Sequence, residues 1–337
     1  MGDRTKAFDS KRRSALSALA GAGAFGAAIA RPSRGHASEE WPTKPIKFVS
    51  PLAAGGSTDR LGRVIANGLG ELWKQPAIVE NKPGASGMIA AEHVARAPAD
   101  GYTALFAQVA LIQAPSLFDS VPYDPLRDFA AVSLLGTVPV VLAVRADSPY
   151  RTLEDYLAAA REPNSQIRFG SFGIGSSFHI YGETLMRDAK VPLIHVPYKG
   201  EAPAIADVLG GHLESTFSSV SSARPLIQDK RLRALAVVGR RVASLPDVPG
   251  FPELGFQRLD VRGWFGVVVP TGVPRRIIDK MADGVRLMAG RGEIVDTFRG
   301  MGGDLIASSP DEFTAFLRSD FEKWSRMIRE AGIKANR

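Results

Sequence analysis

Two hydrophobic periods alternate along the chain. Ile46-Lys47-Phe48-Val49 is a short strand pattern, and Leu61, Val64, Ile65, Leu69 and Leu72 then recur every three or four positions. That spacing predicts a helix over 60–73, because residues three and four apart share one helical face. A strand follows at 77–80, a turn at 81–87, a helix over 88–97 and a strand at 102–107. Val138 to Val144 is a near-continuous apolar run, as expected of a strand buried on both faces. The same alternation resumes beyond it. Helices are predicted at 153–161, 178–189, 203–210 and 223–229, with strands at 167–169, 193–196, 213–217 and 232–238. A further apolar strand at 264–269 precedes helices at 277–289, 293–301 and 310–331.

Strands alternating with helices predict an α/β fold with right-handed crossovers and mainly parallel sheets. Two domains are expected, each a sheet flanked by helices. The first is discontinuous, 44–140 plus 265–337, and carries the final three helices. The second, 141–264, is inserted into it. Two crossing segments, near 139–147 and 260–268, would act as a hinge.

Composition narrows the function. The 337 residues are 45% hydrophobic and 23% charged, with no cysteine. Disulfide frameworks, thiolate metal sites and thiol nucleophiles are therefore excluded. The net charge of +7 is concentrated at the start. Residues 1–37 hold seven basic and two acidic residues, which leaves 35 basic against 33 acidic in the rest. No strongly basic domain remains to neutralise phosphates, so a nucleic-acid partner is not expected.

Lys11-Arg12-Arg13 precedes a mild apolar stretch, 15–30, and a small-residue exit at Gly35-His36-Ala37. This is the order of an export signal, too short and soft for a membrane span. Arg12-Arg13 points to the twin-arginine route, with Sec export open. Cleavage is expected after Ala37, with Ala28-Ile29-Ala30 as a second site. The mature chain is then exported, to a bacterial periplasm.

Two segments share one design, a strand, a Gly/Ser turn and a helix. They are Gly55-Gly56-Ser57-Thr58-Asp59 and the stretch from Ser171 to Ser177. The first amides of each helix are unpaired and carry the positive end of its dipole, which suits a carboxylate. In open α/β sheets such turns lie at the carboxyl ends of strands, where ligands bind. Facing each other across a cleft, the pair would hold a small acid at both ends.

Catalytic signatures are broken. Gly173-x-Gly175 lacks its third glycine, and there is neither a Gly-x-Ser-x-Gly elbow nor a Walker loop. His179 and Glu183 share a helix face without a completing second histidine, so a structural pair is expected and no metal. His195 reads as a satisfied core histidine. Tyr198 would either pack on a ligand or close its loop. Trp264 is expected in the core of the hinge region. No cofactor and no catalytic residue are called for.

An ordered set of motifs then carries a resemblance. It includes Trp41-Pro42-Thr43-Lys44-Pro45-Ile46, Ala54-Gly55-Gly56-x-x-Asp59 and Glu80-Asn81-Lys82-Pro83-Gly84-Ala85-Ser86-Gly87. It continues through Asp100-Gly101-Tyr102-Thr103, His195-Val196-Pro197-Tyr198-Lys199-Gly200 and Pro270-x-Gly272-x-Pro274. From about Trp41 to Ile333 the chain resembles the Bug-type extracytoplasmic receptors of the tripartite tricarboxylate transporter system.

The resemblance implies a periplasmic-binding-protein-like fold, a small carboxylate ligand, membrane transporter subunits as partners and a monomeric receptor. It puts ligand contacts on Ala54, Gly55, Gly56 and Asp59 in domain one, with Gln108 from the loop after the third strand. In domain two it points to Ser171, Gly173, Gly175, Ser176 and His179, with Tyr198 nearby, and to Ser218, Ser219 and Ser221. Two departures stand out. Leu52-Ala53 replaces the family's Phe-Pro. Ser218 follows Phe217 where many members carry Asp, and the loss of that carboxylate disfavours ligands with an amino group. Two rivals stay open, an exported hydrolase or isomerase using His179, Glu183 and a serine of 171–177, and a sensor that docks on a signalling protein.

Overall fold

The computed structural model describes residues 41–335 apart from Ala53, Gly55 and Gly56. The expected export signal and its cleavage sites lie outside the described residues.

The chain opens with β1 (Ile46–Ser50), α1 (Ser57–Trp73), β2 (Ala77–Asn81), α2 (Met88–Ala95) and β3 (Thr103–Gln108). α3 (Ala110–Leu117), β4 (Phe129–Val138) and β5 (Val140–Arg145) follow. Then come α4 (Leu153–Arg161), β6 (Arg168–Ser171), α5 (Ser177–Ala189), β7 (Ile194–Pro197) and α6 (Glu201–Gly210). β8 (Ser215–Ser219), α7 (Val220–Gln228), β9 (Leu232–Val237) and β10 (Gly263–Pro270) lead to α8 (Arg275–Ala289) and α9 (Gly292–Gly300). β11 (Asp304–Leu305) and α10 (Pro310–Ala331) finish it.

Local chemistry sets several of these boundaries. Thr152 and Asp155 form a reciprocal capping box that starts α4, and Ser309 and Glu312 do the same for α10, whose first residue is Pro310. Ser176 caps α5 through the amide of His179.

Two sheets result, flanked by helices, as the α/β expectation requires. The first runs β11-β4-β10-β3-β1-β2 and the second β7-β6-β8-β5-β9. One correction concerns direction. The strand–helix–strand units pair in parallel, β1 with β2 and β3, and β6 with β7 and β8. β10 and β5 run antiparallel to both of their neighbours, so each sheet is mixed rather than mainly parallel. The reason is route. β5 enters the second sheet from the first, and β10 comes back, so neither follows a crossover helix that would return it in the common direction.

A second correction concerns the apolar run 138–144. Pro139 splits it: Val138 ends β4 in the first sheet, and Val140 begins β5 in the second. Proline has no N–H to give to a ladder, so the change of sheet falls at that residue.

The core is continuous between the sheets. Val49 and Leu105 of the first share one cluster with Leu142 and Phe217 of the second, and with Trp264, Phe313 and Trp324. α10 is the common wall. It packs on α3 and β4, and also on α5, where Trp324 lies 5.5 Å from Tyr181. α10 therefore touches elements of both sheets.

Candidate functional site

The parallel strands bring their carboxyl ends to one edge of each sheet. In the first, these ends are Ser50, Asn81 and Gln108; in the second, Ser171, Pro197 and Ser219. Both edges open on the crossing. Gln108 is paired with Phe265, two residues from Gly263, which pairs with Val138. Val140, on the far side of Pro139, pairs with Ser219.

Between the edges lies a cleft of about 410 Å³. Its first wall is Pro51, Leu52, Gly84, Ser86, Gly87 and Gln108, continued by Val109, Ala110, Gln113, Ala114, Leu117 and Phe118 around α3. Its second wall is Phe172, Ile174, Gly175, Ser176 and Ser177. Of the sequence-derived candidates, Gln108, Gly175 and Ser176 line it together. Among the described residues the lining contains no charged side chain.

The candidate turn of the first sheet begins at Ala54, which is exposed; Gly55 and Gly56 lie outside the described residues. Its flanks are braced. Asp59 is buried and accepts bonds from Arg63 Nε (2.9 Å), Arg63 Nη2 (3.2 Å) and Asn81 Nδ2 (2.7 Å). Asn81 Nδ2 also donates to the carbonyl of Leu52 at 2.9 Å. One amide thus ties the residues before the turn to the helix after it.

The second corner is densely bonded within itself. Gly173 and Gly175 have φ of 133° and 75°, values that glycine tolerates. The amide of Gly175 donates to His179 Nδ1 at 3.1 Å. That nitrogen is therefore an acceptor, and the ring's proton is on Nε2, which faces Glu183 Oε1 at 3.4 Å. Ser176 Oγ donates to the carbonyl of Gly173 at 2.7 Å while it caps His179 N. Ser171 Oγ accepts from the amide of Gly173 and lies 2.7 Å from His195 Nε2. His195 stacks on His179 and on Phe169, and burial foremost, then His179, pushes it down to about 4.

Tyr198 closes its loop. Its hydroxyl donates to Asp207 Oδ2 at 2.7 Å, its amide donates to the carbonyl of Ser171, and it is not among the cleft-lining residues. Burial and that bond raise its hydroxyl to about 12. Trp264 is fully buried, and its indole donates to Asp320 Oδ2 at 2.8 Å.

At Ser218 and Ser219 the structure shows a group that the local sequence does not reveal. A carboxylate does stand there, supplied by Glu201 from the first turn of α6. Its Oε1 accepts from Ser218 Oγ (2.6 Å), the Ser219 amide (2.6 Å) and Ser219 Oγ (3.0 Å). Ser219 caps α7, so Glu201 sits at that helix's positive end. Ser219 Oγ also reaches Ser221 Oγ at 2.9 Å.

Three parts of the site escaped the sequence reading. Gly84, Ala85, Ser86 and Gly87 all have positive φ, 123°, 47°, 54° and 89°. Two of them are not glycine, and such strain gathers at functional loops. The signal was a third strand–loop–helix corner, between β2 and α2. α3 has no clear periodicity in the sequence, yet it supplies Gln113, which is hydrogen-bonded to Ser177 of α5 at 3.0 Å. Phe172 and Ile174 sit inside a Gly/Ser loop, yet they are 43% and 62% exposed.

The geometry is that of a small-molecule cleft, and known proteins resemble the chain that builds it. Residues 61–333 match the model of the tripartite tricarboxylate transporter family receptor, TctC. A UPF0065 protein from the tcbD-tcbE intergenic region of Pseudomonas sp. strain P51 is 34% identical over 306 residues, 90% of this chain and 91% of that one. The solved periplasmic binding protein BugD is 29% identical with a TM-score of 0.73, covering 88% of this chain and 100% of its own. An R. palustris protein solved with adipate is 30% identical with a TM-score of 0.75, covering 88% and 99%. The extent of these matches, over both sheets and the cleft between them, places the chain in the tripartite tricarboxylate transporter receptor family, of the Bug type.

Proposed function

We propose that this receptor takes a small organic carboxylate into the cleft and hands it to the membrane subunits of its transporter. It acts outside the cytoplasm, as a monomer, after export by a signal cleaved near Ala37. Among the described residues no helix is long and apolar enough to cross a membrane. The carrying observation is the cleft itself, set between two carboxyl edges that meet at the crossing segments. Adipate in a relative of the same architecture agrees with it.

In this reading 44–140 with 265–337 forms one lobe and 141–264 the other. Closure bends the chain at Pro139 and ahead of Gly263, and the ligand favours the closed state by contacts made only there. The acid is held on the first lobe, at the Ala54-Gly55-Gly56 turn braced by Asp59, beside Ser86, Gly87 and Gln108. Amides and neutral side chains do the holding, since among the described residues no cation lines the cleft.

No chemistry on the ligand is proposed. Ser171 and His195 have the spacing of a nucleophile and its base, but Ser171 is 1% exposed and is bonded to Gly173. The test is a thermal-shift screen of carboxylic acids. A ligand at about 100 times its dissociation constant adds about 2.7 kcal/mol of stability. A screen in which no acid raises the midpoint, while a neutral solute does, would refute the reading.

A further inference from the structure

We infer that the ligand is a monocarboxylate with an apolar body of about aromatic size, and that Phe172 and Ile174 select it. This rests on the carboxylate reading of the cleft and narrows it to a chemical class.

A dicarboxylate needs donors at both ends. On the second wall the donors of Gly175 and Ser176 are already engaged within the protein. The Gly175 amide is given to His179, Ser176 Oγ to Gly173, and the Ser176 amide to the same carbonyl. The neighbouring anion corner, Ser218 and Ser219 at the start of α7, is filled by the protein's own Glu201 carboxylate. Among the described residues a second ligand carboxylate would find no cation in the lining. An ion taken out of water without a partner is strongly disfavoured.

What the second wall does offer is apolar surface. Phe172 keeps 43% and Ile174 keeps 62% of its surface open. Phe172 is not loose, because its ring is held edge-on by the buried Phe178 at 4.5 Å. Opposite stand Leu117 and Phe118. Exposed apolar groups that converge on a concave site mark where a ligand's apolar part is buried. Polar groups of the first wall would then hold the single acid, and closure would bring Phe172 and Ile174 down on its body.

The test is calorimetry on the whole receptor, freed of any co-purified ligand, with benzoate, 3-phenylpropionate, adipate, malate and glutamate as probes. The expected result is that an aryl monocarboxylate binds at least tenfold more tightly than any of the three with more than one charged group. Phe172→Ser and Ile174→Ser should each weaken it about tenfold. Ile174 is mostly exposed, so Ile174→Ser should leave the thermal midpoint without ligand unchanged, whereas Phe172→Ser also loses the Phe178 contact and should lower it slightly.

If adipate, malate or glutamate binds best and the two variants leave it unaffected, this inference is overturned while the carboxylate receptor stands. If no acid binds, the function proposed above falls with it.

Discussion

The imidazole rings of His179 and His195 lie 3.8 Å apart and within 12° of parallel, directly behind the loop that forms the second wall of the cleft. A proton on His195 is opposed by burial first and by His179 second, while Glu183 pulls the other way; together they bring it from its ordinary 6.5 to about 4. Between those values the unfolded chain holds a proton on this ring and the folded chain does not. Stability from the neutral ring is therefore complete above about pH 6.5 and is lost as the pH falls toward 4. Asp320 works in the opposite sense, since burial raises it to about 6 and its contribution is lost as the pH rises through that value. A difference measurement removes it. The advantage of the wild type over His195→Gln in thermal midpoint should grow from pH 4.5 to 6.5 and level off above. A constant offset across that range would show that His195 does not titrate as described.

Trp264 and Asp320 are both buried, and the indole N–H has the carboxylate as its partner at 2.8 Å. Asp320→Asn keeps an acceptor and removes a charge that burial disfavours. It should match or exceed the wild type in urea unfolding at pH 7.5. Asp320→Leu leaves the N–H without a partner and should cost about 1–3 kcal/mol. Equal losses in the two variants would mean that the charge itself matters here.

Periodicity carried most of the architecture. α4 begins and ends where its capping pair and apolar spacing put it, and α8, α9 and α10 lie within a few residues of expectation. What failed has local causes. β4 reads Phe-Ala-Ala-Val-Ser-Leu-Leu-Gly-Thr-Val, poor in strand formers, and it contains Gly136 because the carbonyl of Asp304 would lie 2.4 Å from a Cβ there. α3 carries Pro115 and has no side-chain cap.

At the site, Gly175 and Ser176 of the second glycine motif line the cleft, but the motif does not show what fills the neighbouring turn. Glu201 lies 17 and 18 residues from the serines that hold it, and only the fold joins α6 to the end of β8. Phe172 looked like any apolar residue. Its meaning comes from exposure, which no spacing encodes.

Asn81 offers a test of the first corner, because a single amide spans Leu52 and Asp59. Asn81→Ala removes both bonds and Arg63's bond to its carbonyl oxygen. Bonds to charged partners at partly buried sites are worth about 1.5–3 kcal/mol. Part of that should appear as lost stability. The larger effect should be on affinity, a loss of about tenfold for whichever acid binds, because the turn is no longer held at both ends. Asn81→Asp keeps the shape but places a carboxylate against Asp59, and it should be worse than Ala. Calorimetry on the two variants decides it, and unchanged affinity in both would separate the brace from binding.

Gly182, in the middle of α5, is occupied by its neighbour's ring. A Cβ there would lie 2.0 Å from Phe169 Cε2 and 2.2 Å from Cζ. Phe169 is fully buried and stacks on His195 at 5.0 Å, so it has little room to retreat. A tight interior transmits such a clash to whatever lies behind it. Gly182→Ala should therefore destabilise by about 1–3 kcal/mol, in spite of alanine's better helix propensity. Phe169→Leu alone loses ring contacts and should also destabilise. In the double variant the smaller side chain at 169 makes space for the new methyl. The combined loss should then fall short of the sum by about 0.5–3 kcal/mol, as for residues in direct contact. Chemical unfolding of the four proteins measures that coupling, and strict additivity would mean that helix α5 shifts as a unit instead of pressing on Phe169.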